Sequence, residues 1–325
     1  MRLNLRAIDF SRFRIQDLQR PSRTVAFALN PPQRFALQKL IELQDQKKPL
    51  WTITLKARRV GFSTFFAILN SCHCIAMSNA IALTVAHRAK NAKAVFSAAQ
   101  TAHRTILADV GLPFENYRTQ HELRFPHAEG ESVLTLATAK TVEGARGMTL
   151  TALQLSECAF YEQAEDALTA LMSTVTYQPE TMLNVETTAN GKINNGEAFH
   201  DLWQDAVEGK NQFVPIFISW LMDPNCQMDP DQMNVRVTNL DSEEKELVKL
   251  HGATYPQLSW RRWAIPNKCQ GYVDKFHQEY PHTPEVAFIT SGDPAFNEDE
   301  MKAAEKSCYA PRFMGSIEQD NEVAA

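Results

Sequence analysis

Residues 51–72 read WTITLKARRVGFSTFFAILNSC. An apolar run ends at Leu55, a turn follows around Gly61, and a second apolar run begins after Ser63 and Thr64. This order predicts a buried strand, a tight turn and a helix. It is the layout of the loop G-x-x-x-x-G-K-[ST], in which backbone N–H groups at a helix N-terminus face a phosphate.

Two positions depart from that loop: Lys56 stands where the first glycine belongs, and Phe62 stands where the lysine belongs. A phenyl ring cannot neutralise phosphate charge, so the cation has to be Lys56, Arg58 or Arg59, whose long side chains reach the same phosphates. Ser63 takes the place of the hydroxyl that ligates Mg²⁺. On this pattern alone, a nucleotide site and a purely structural turn both stay open. The predicted nucleotide-binding loop is Lys56, Ala57, Arg58, Arg59, Val60, Gly61, Phe62, Ser63 and Thr64.

The chain has 325 residues, of which 44% are hydrophobic and 22% charged, as is ordinary for a globular protein. No apolar run reaches the roughly 18–20 residues that span a bilayer, and the N-terminus does not resemble a signal peptide. We therefore expect no membrane association and a reducing, intracellular compartment. Cys72, His73 and Cys74 fall on successive positions of a predicted helix and point in different directions, which favours buried packing over a metal site.

The net charge of −5 does not favour nucleic-acid binding by the chain as a whole. Basic residues are nevertheless clustered in two places. Residues 1–25 carry six arginines and two aspartates, and a second group follows a predicted strand. Such clusters suit phosphate backbones, although a solvated face explains either of them as well. The second group is His87, Arg88, Lys90 and Lys93.

Short apolar strands alternate with longer amphipathic helices, which predicts an α/β fold with a mostly parallel sheet and helices on its faces. After Trp220 the composition becomes polar and acidic, and Asp241 and Glu244 form a capping box for a helix that Gly252 ends. This change marks a second, smaller unit. The predicted strands are 51–55, 81–85, 132–137, 151–155, 182–186 and 213–218, and the predicted helices are 64–77, 89–107, 162–172 and 197–206.

Polar residues follow two of these strands. In nucleotide hydrolases of this architecture, one strand ends in an Asp that holds the Mg²⁺ shell and a Glu that activates water. Here Glu157 is the candidate for activating water, and Ser156 replaces the Asp without bringing charge. Hydroxyl and amide side chains at the end of the other strand are placed to sense a γ-phosphate, although a plain polar turn has the same composition. That segment is Thr187, Thr188, Ala189, Asn190 and Gly191.

These three strand ends, in this order and at these separations, resemble the ATPase domain of the large terminase subunit of tailed bacteriophages, the motor that packages DNA into proheads. The resemblance covers roughly residues 31–296. Its most specific piece is KARRVGFS, residues 56–63, since some terminases carry a displaced lysine at the head of the loop and an aromatic in the usual lysine place. The resemblance implies a P-loop NTPase fold of the ASCE type, with a small C-terminal lid or linker subdomain.

The resemblance also implies roles for individual residues. Arg58 falls at the loop arginine, Glu157 at the catalytic carboxylate and the segment 187–191 at the coupling motif. Mg²⁺ is expected at Ser63 and at Ser156, and Ser156 stands where the family usually has an acidic residue. Arg146, in EGARGMTL, matches a trans-acting arginine finger. Gln33, in NPPQRFALQKL, is expected to read adenine, and FHQEYPHTPEVAFITSG, residues 276–292, resembles the link from ATPase to nuclease.

Four segments are expected on this basis. Residues 1–30 form a basic segment packed on the lid, 31–220 the P-loop ATPase core, 221–296 the lid or linker subdomain, and 297–325 a stub towards a nuclease. The sequence ends about thirty residues past Gly292, which is short of a nuclease domain of ~150 residues. We therefore expect a truncated form or fragment without nuclease activity.

The implied function is ATP hydrolysis that drives double-stranded DNA into a viral prohead, with ATP and Mg²⁺ as cofactors. The implied partners are double-stranded DNA, the portal protein, the small terminase subunit and further copies of the chain, as a homo-pentamer on the portal and a monomer in dilute solution. Such a protein is expected in the host cell cytoplasm and outside the mature virion. Two alternatives stay open: a non-hydrolysing nucleotide-binding scaffold that docks portal or small terminase, and a helicase-like DNA translocase not used in packaging.

Overall fold

The computed structural model describes residues 3–16, 23–109, 111, 118, 119, 121–141, 147–192, 194–289 and 307. The chain divides into two units, 1–291 and 292–325, and Ser307 is the one described residue of the second. Every element named below lies in the first unit. The strands are β1 (Arg14–Gln16), β2 (Thr24–Ala26), β3 (Leu50–Lys56), β4 (Ile81–Ala86), β5 (Glu122–His127), β6 (Gly130–Thr138), β7 (Ala152–Ser156), β8 (Met182–Thr187) and β9 (Val214–Ile218).

Seven strands form one sheet in the order β5-β6-β4-β7-β8-β3-β9. All neighbouring pairs are parallel except β5, which runs antiparallel to β6. The predicted mostly parallel sheet is therefore confirmed. β8 lies between β3 and β7, so the ends of the three strands with polar or charged residues meet at one edge of the sheet, where ligands bind in open α/β folds.

Helices cover both faces of the sheet, as the alternating pattern predicted. One hydrophobic cluster contains side chains of α1, α2 and α3, and a second contains side chains of α4 and α5. The helices are α1 (Pro31–Asp45), α2 (Phe62–Ala76), α3 (Ala89–Asp109), α4 (Ala164–Met172), α5 (Glu197–Val207), α6 (Ser242–His251), α7 (Tyr255–Lys268), α8 (Val273–Glu279) and α9 (Pro284–Ile289).

The ends of several helices follow from local sequence. At α6, Asp241 and Glu244 form the predicted capping box, and Gly252 closes the helix with a φ of +67°. At α1, the side chain of Asn30 accepts a hydrogen bond from the backbone of Gln33, and the Gln33 side chain bonds back to the backbone of Asn30. The second pair matters for the site, because it lies directly under the loop.

Helix α2 is buried on nearly all sides, between the sheet and α3. Cys72, His73 and Cys74 are buried within it, and His73 Nε2 lies 3.0 Å from Thr151 Oγ1. Within the described ranges, no three His, Cys, Asp or Glu side chains are grouped so that they could hold a metal ion. In the same ranges no helix combines the length and hydropathy that crossing a bilayer requires.

The described residues of the N-terminal segment pack on α1, α2 and α3. The predicted packing of residues 1–30 on a lid stays a prediction. Leu3 and Leu5 are buried, the amide of Gln44 bonds to the backbone of both, and Phe10 packs against Phe65 at a centroid distance of 6.2 Å. The alternation of arginine with apolar residues therefore serves burial against the core.

The residues after Trp220 contribute to the same core. Trp220 stacks on Trp260 at 5.4 Å and meets Phe276 edge-on at 5.7 Å, and all three belong to the cluster that includes α1 and α2. A smaller cluster around Val235 and Leu258 lies among α6, α7 and the preceding turns. A division of the core from a lid at residue 220 stays a prediction.

Candidate nucleotide-binding site

The loop between β3 and α2 has the shape of a phosphate-binding turn. β3 ends at Lys56, α2 begins at Phe62, and Gly61 between them has a φ of +77°. A Cβ atom on Gly61 would lie 2.8 Å from the Nε2 of Gln33. Glycine is thus needed here both for the left-handed backbone and for the close approach of a neighbouring side chain.

Two side chains from the start of α1 brace this loop. Asn30 Nδ2 donates to the carbonyl of Val60 at 3.0 Å, and Gln33 Nε2 donates to the carbonyl of Gly61 at 2.9 Å. Gln33 is buried, and both ends of its amide are bonded within the protein. The Gln33 side chain therefore contacts the loop. Adenine recognition by this residue stays a prediction, and it would require the amide to give up these hydrogen bonds for bonds to the base.

Phe62 lies in the hydrophobic core. It is 1% exposed, and its ring packs against Phe65 and Phe66 at centroid distances of 6.1 and 5.9 Å. A side chain at the first position of α2 points back into this core, which an aromatic ring fills and an ammonium group would not. The aromatic residue at the usual lysine position therefore anchors the helix, and the cation of the site comes from another position.

That cation is Lys56, at the last position of β3. Its ammonium group lies 2.9 Å from Glu157 Oε1 and 3.2 Å from Glu186 Oε2, and its side chain is buried. Burial by itself lowers the pKa of Lys56, but the two carboxylates outweigh it and raise the pKa above its ordinary value. Lys56 therefore stays charged at the carboxyl edge of the sheet.

Glu157 follows β7 with a φ of +58°, a backbone conformation that turns its carboxylate towards Lys56. Burial raises the pKa of Glu157, while Lys56 and the hydrogen bonds from Thr188 lower it, and the net shift is downward. Those bonds reach Glu157 Oε2 from the backbone nitrogen and hydroxyl of Thr188 at 3.4 and 3.3 Å. The side chain is 28% exposed, so the ionised carboxylate is accessible from the cavity over the loop.

Three oxygens converge beside Lys56, from the loop and two strands. Ser63 Oγ lies 3.0 Å from Ser156 Oγ, and both hydroxyls lie within hydrogen-bond distance of Glu186 Oε1, at 3.0 and 2.6 Å. Hydroxyl and carboxylate oxygens are ligands that Mg²⁺ prefers, and adjacent ligands of an octahedral Mg²⁺ ion are separated by about 3 Å. The donor chemistry at Ser63 and Ser156 therefore fits the predicted ion.

The segment predicted as the coupling motif links the site to two other elements. Thr187 lies at the end of β8, and Asn190 Nδ2 donates to the carbonyl of Ala159 at 2.9 Å. Gln278 Nε2, on α8, donates to the carbonyl of Ala189 at 3.0 Å. Gly191, which ends the segment, has a φ of +81°. The segment thus connects the strand that carries Glu157 with a helix of the C-terminal region.

Of the two loop arginines, Arg58 pairs with a glutamate at the end of α8. Arg58 Nη1 lies 2.6 Å from Glu279 Oε1, and its backbone nitrogen donates to the Glu279 carbonyl at 2.8 Å. Arg59 is exposed and has a φ of +64°. The structure therefore assigns the charge beside Glu157 to Lys56. Arg146, the predicted arginine finger, lies outside the described residues.

A cavity of about 740 Å³ lies over the loop. It is lined by the loop residues 56–64 apart from Ala57, and by Glu157 and Thr188 from the neighbouring strand ends. His87 and Arg88, from the basic group that follows β4, line it too. Sequence pattern alone does not connect that group with the loop, because the connection depends on the parallel packing of β4 beside β7.

Glu186 is the site residue that sequence reasoning missed. It lies within β8, is fully buried, and contacts Lys56, Ser63 and Ser156. The available signal was a charged residue within a predicted buried strand, since an ionised side chain is almost never fully buried without a partner. The pattern of the sequence places Glu186 only at the end of that strand.

This strand order, with a glycine turn leading from a central strand into a helix, is the fold of the P-loop NTPases. No protein-family profile matches the sequence. Among solved structures, the large terminase of bacteriophage HK97 is similar with a TM-score of 0.55 and 14% sequence identity, over 84% of this chain and 53% of that chain. The chain has the fold of a large terminase ATPase domain and spans about half the length of that terminase.

Two further terminases show weaker likeness. The ATPase domain of a Thermus phage large terminase is 14% identical, over 78% of this chain and 99% of that chain, with a TM-score of 0.41. A large terminase from a thermophilic bacteriophage, in complex with ADP, is 14% identical over 67% of this chain and 49% of that chain, with a TM-score of 0.43.

Proposed function

We propose that this chain binds ATP with Mg²⁺ and hydrolyses it, as the motor domain that drives double-stranded DNA into a viral prohead. The observation that carries the proposal is the Lys56–Glu157 contact of 2.9 Å at the carboxyl edge of the sheet, beside a glycine turn that opens a helix. A buried cation and an ionised carboxylate at this edge are what phosphoryl transfer to water requires.

Each residue has a distinct task in this proposal. Phosphate oxygens that enter over the loop compete with Glu157 for the ammonium group of Lys56. The freed carboxylate, still held by the hydrogen bonds from Thr188, then accepts a hydrogen bond from the attacking water. Bound Mg²⁺ would neutralise charge on the phosphates, held at Ser63 and Ser156. Arg146 of a neighbouring copy stabilises the charge that develops as the phosphoryl group leaves.

Coupling to movement runs through the segment 187–191 in this proposal. Thr188 contacts Glu157 directly, and Ala189 accepts a hydrogen bond from Gln278 on α8. A change at Glu157 during hydrolysis therefore has a short path to the C-terminal helices. The remaining parts of the proposal rest on the likeness to large terminases: a pentameric ring on a portal protein, a small terminase partner, a grip on DNA phosphates, and action in the host cell cytoplasm.

The test is steady-state ATP turnover by two variants. Lys56→Ala removes the only cation seen beside Glu157 among the described residues, and we expect turnover to fall about a hundredfold or more. Glu157→Gln keeps the shape and removes the base, and a similar or larger loss is expected. Lys39→Ala is the matched control, because Lys39 forms an exposed pair with Glu42 on α1. Normal turnover by Lys56→Ala would refute the assignment of the cation.

A non-hydrolysing scaffold is the second candidate, and the observation in its favour is Ser156, which leaves the end of β7 without a metal-binding charge. Nucleotide binding without turnover, at every protein concentration and in the presence of DNA, would favour this candidate. A helicase-like translocase shares the same core chemistry. Packaging of DNA into proheads by the chain and its partners, and not duplex unwinding, separates that alternative from the proposal.

A further inference from the structure

We propose that Glu186, on β8, is the acidic member of the Mg²⁺ shell and supplies the charge that Ser156 lacks on β7. The inference rests on the proposed function, since it concerns how the same site holds its metal. In this inference the metal-binding carboxylate is on β8 and not on β7, the strand that precedes Glu157. β8 lies directly beside β3, the strand that leads into the loop. The sequence alone gave no such role to Glu186.

The strand register makes this exchange possible. Ser156 and Glu186 are direct partners in the parallel pair of β7 and β8, and Glu186 is also the partner of Thr54 on β3. Paired residues of neighbouring parallel strands point to the same face of a sheet. A carboxylate at 186 therefore lies on the same face as a side chain at 156, between that position and the loop.

The contacts of Glu186 are those that a metal-shell carboxylate needs. Its Oε1 accepts from Ser63 Oγ, the hydroxyl in the place of the loop's metal ligand, at 3.0 Å. Its Oε2 lies 3.2 Å from the ammonium group of Lys56. The side chain is thus aimed into the corner where the loop hydroxyl and the cation meet. Glu157 pairs with Lys56 as well, but its other contacts are with Thr188.

Charge balance points the same way. Without Glu186, the charges of Lys56 and Glu157 would cancel, and the hydroxyls of Ser63 and Ser156 would bring none. A divalent cation would then bind beside a buried ammonium group with no carboxylate of its own, which is costly in a site shielded from water. Glu186 gives the site one net negative charge, at the point where the hydroxyls of Ser63 and Ser156 converge.

The direct pairing of positions 156 and 186 also explains why a serine is suitable at position 156. Two ionised carboxylates at the directly paired positions 156 and 186 would repel each other in a buried site. Serine donates a 2.6 Å hydrogen bond to Glu186 instead and orients that carboxylate. Ser156 therefore orients Glu186, in addition to the place beside the Mg²⁺ ion that the proposed function gives it.

The experiment measures ADP affinity by calorimetry in Mg²⁺ and in EDTA, so its readout does not depend on turnover. The wild-type chain is expected to bind ADP more tightly with Mg²⁺. In Glu186→Gln we expect that enhancement to fall about tenfold or more, with affinity in EDTA retained. Glu157→Gln is the matched control: it removes the other carboxylate partner of Lys56, and the Mg²⁺ enhancement should persist.

A charge swap completes the design. Ser156→Asp combined with Glu186→Gln returns the acid to β7, and we expect the Mg²⁺ enhancement to recover. Should Glu186→Gln fail to fold, this double variant decides: an enhancement like that of the wild type supports the inference, and its absence overturns it. A Glu186→Gln variant that melts at a lower temperature yet keeps the full enhancement assigns Glu186 a structural role and also overturns it.

The two proposals fail in different ways. If the wild-type chain binds ADP in neither condition, the proposed function is wrong. If the wild-type chain binds ADP with an enhancement by Mg²⁺ and Glu186→Gln shows the same enhancement, the nucleotide site stands and the role of Glu186 is refuted.

Discussion

Gly61 has a φ of +77°, in which a residue with a Cβ atom is disfavoured by about 1–2 kcal/mol. A methyl group at this position would also come within 2.8 Å of Gln33 Nε2. Substitution therefore strains the backbone and displaces a side chain that holds the loop. We expect Gly61→Ala to lower the free energy of unfolding, measured by urea denaturation, by more than the backbone cost alone.

Gly209 offers a matched control for that measurement. Its φ is +71°, but a Cβ atom there would meet nothing within 4 Å. Gly209→Ala thus reports the backbone cost, and the difference between the two variants reports the crowding at Gln33. Equal losses in the two variants would show that Gln33 adapts freely and does not fix the loop.

Single residues differ in how far the sequence could assign them. The positions of Ser63 at the start of α2 and of Glu157 directly after β7 were predictable from short-range pattern, and their roles stay predictions. The resemblance already favoured Lys56 over Arg58 as the cation, and in the structure Arg58 pairs with Glu279. Glu186 is recognisable in the sequence as a charge within a predicted strand, but its contacts are not, because they depend on which strands lie side by side, and the strand order is set by long-range packing.

Among the elements, α2 begins at the loop and is buried in the core. It contains a buried histidine, His73, which makes the free energy of unfolding depend on pH. Burial lowers the pKa of His73 to about 4, from a usual value of about 6.5. Between these values the unfolded chain binds more protons than the folded chain, so the free energy of unfolding decreases as pH falls through this window, by up to about 1.4 kcal/mol per pH unit. Above about pH 6.5 the histidine is neutral in both states, and the free energy of unfolding no longer changes with pH on its account.

We expect His73→Gln to flatten that dependence, because an amide can keep the contact with Thr151 and does not titrate. Urea denaturation between pH 4 and pH 7 measures the change. His282 provides the internal reference: burial likewise lowers its pKa to about 4, so some slope should remain in the variant. An unchanged slope in His73→Gln would show that His73 is accessible to protons in the folded state.

The strands and helices were predicted where a periodic pattern is strong. The six predicted strands correspond to β3, β4, β6, β7, β8 and β9, with ends that differ by a few residues. β5 was missed, since it contains Pro126 and alternates weakly, which an antiparallel strand at the edge of a sheet tolerates. α1 was missed for a related reason: Pro31 and Pro32 read as a break, although they are favourable at the start of a helix.

At the scale of the whole molecule, the proposed mechanism depends on a neighbouring copy of the chain. In the described ranges Lys56 is the one cation within salt-bridge distance of Glu157, and two carboxylates already engage it. Arg58, Arg59 and Arg88 line the same cavity, and in the proposal Arg146 of a neighbouring copy stabilises the charge that develops on the phosphates. Isolated chains should then turn over ATP slowly, because a monomer has no neighbouring copy to donate the arginine.

Mixing two inactive variants tests this directly. Arg146→Ala lacks the finger and Glu157→Gln lacks the base, and each alone should lose at least about a hundredfold in turnover. In a ring of random order, about a quarter of the interfaces join an intact Glu157 to an intact Arg146, so an equimolar mixture should recover turnover by a comparable fraction. A finger that acts within its own chain predicts no recovery at any ratio. Because Arg146→Ala subunits keep the loop, they should still bind ADP, which shows that lost turnover reflects the missing finger and not an unfolded site.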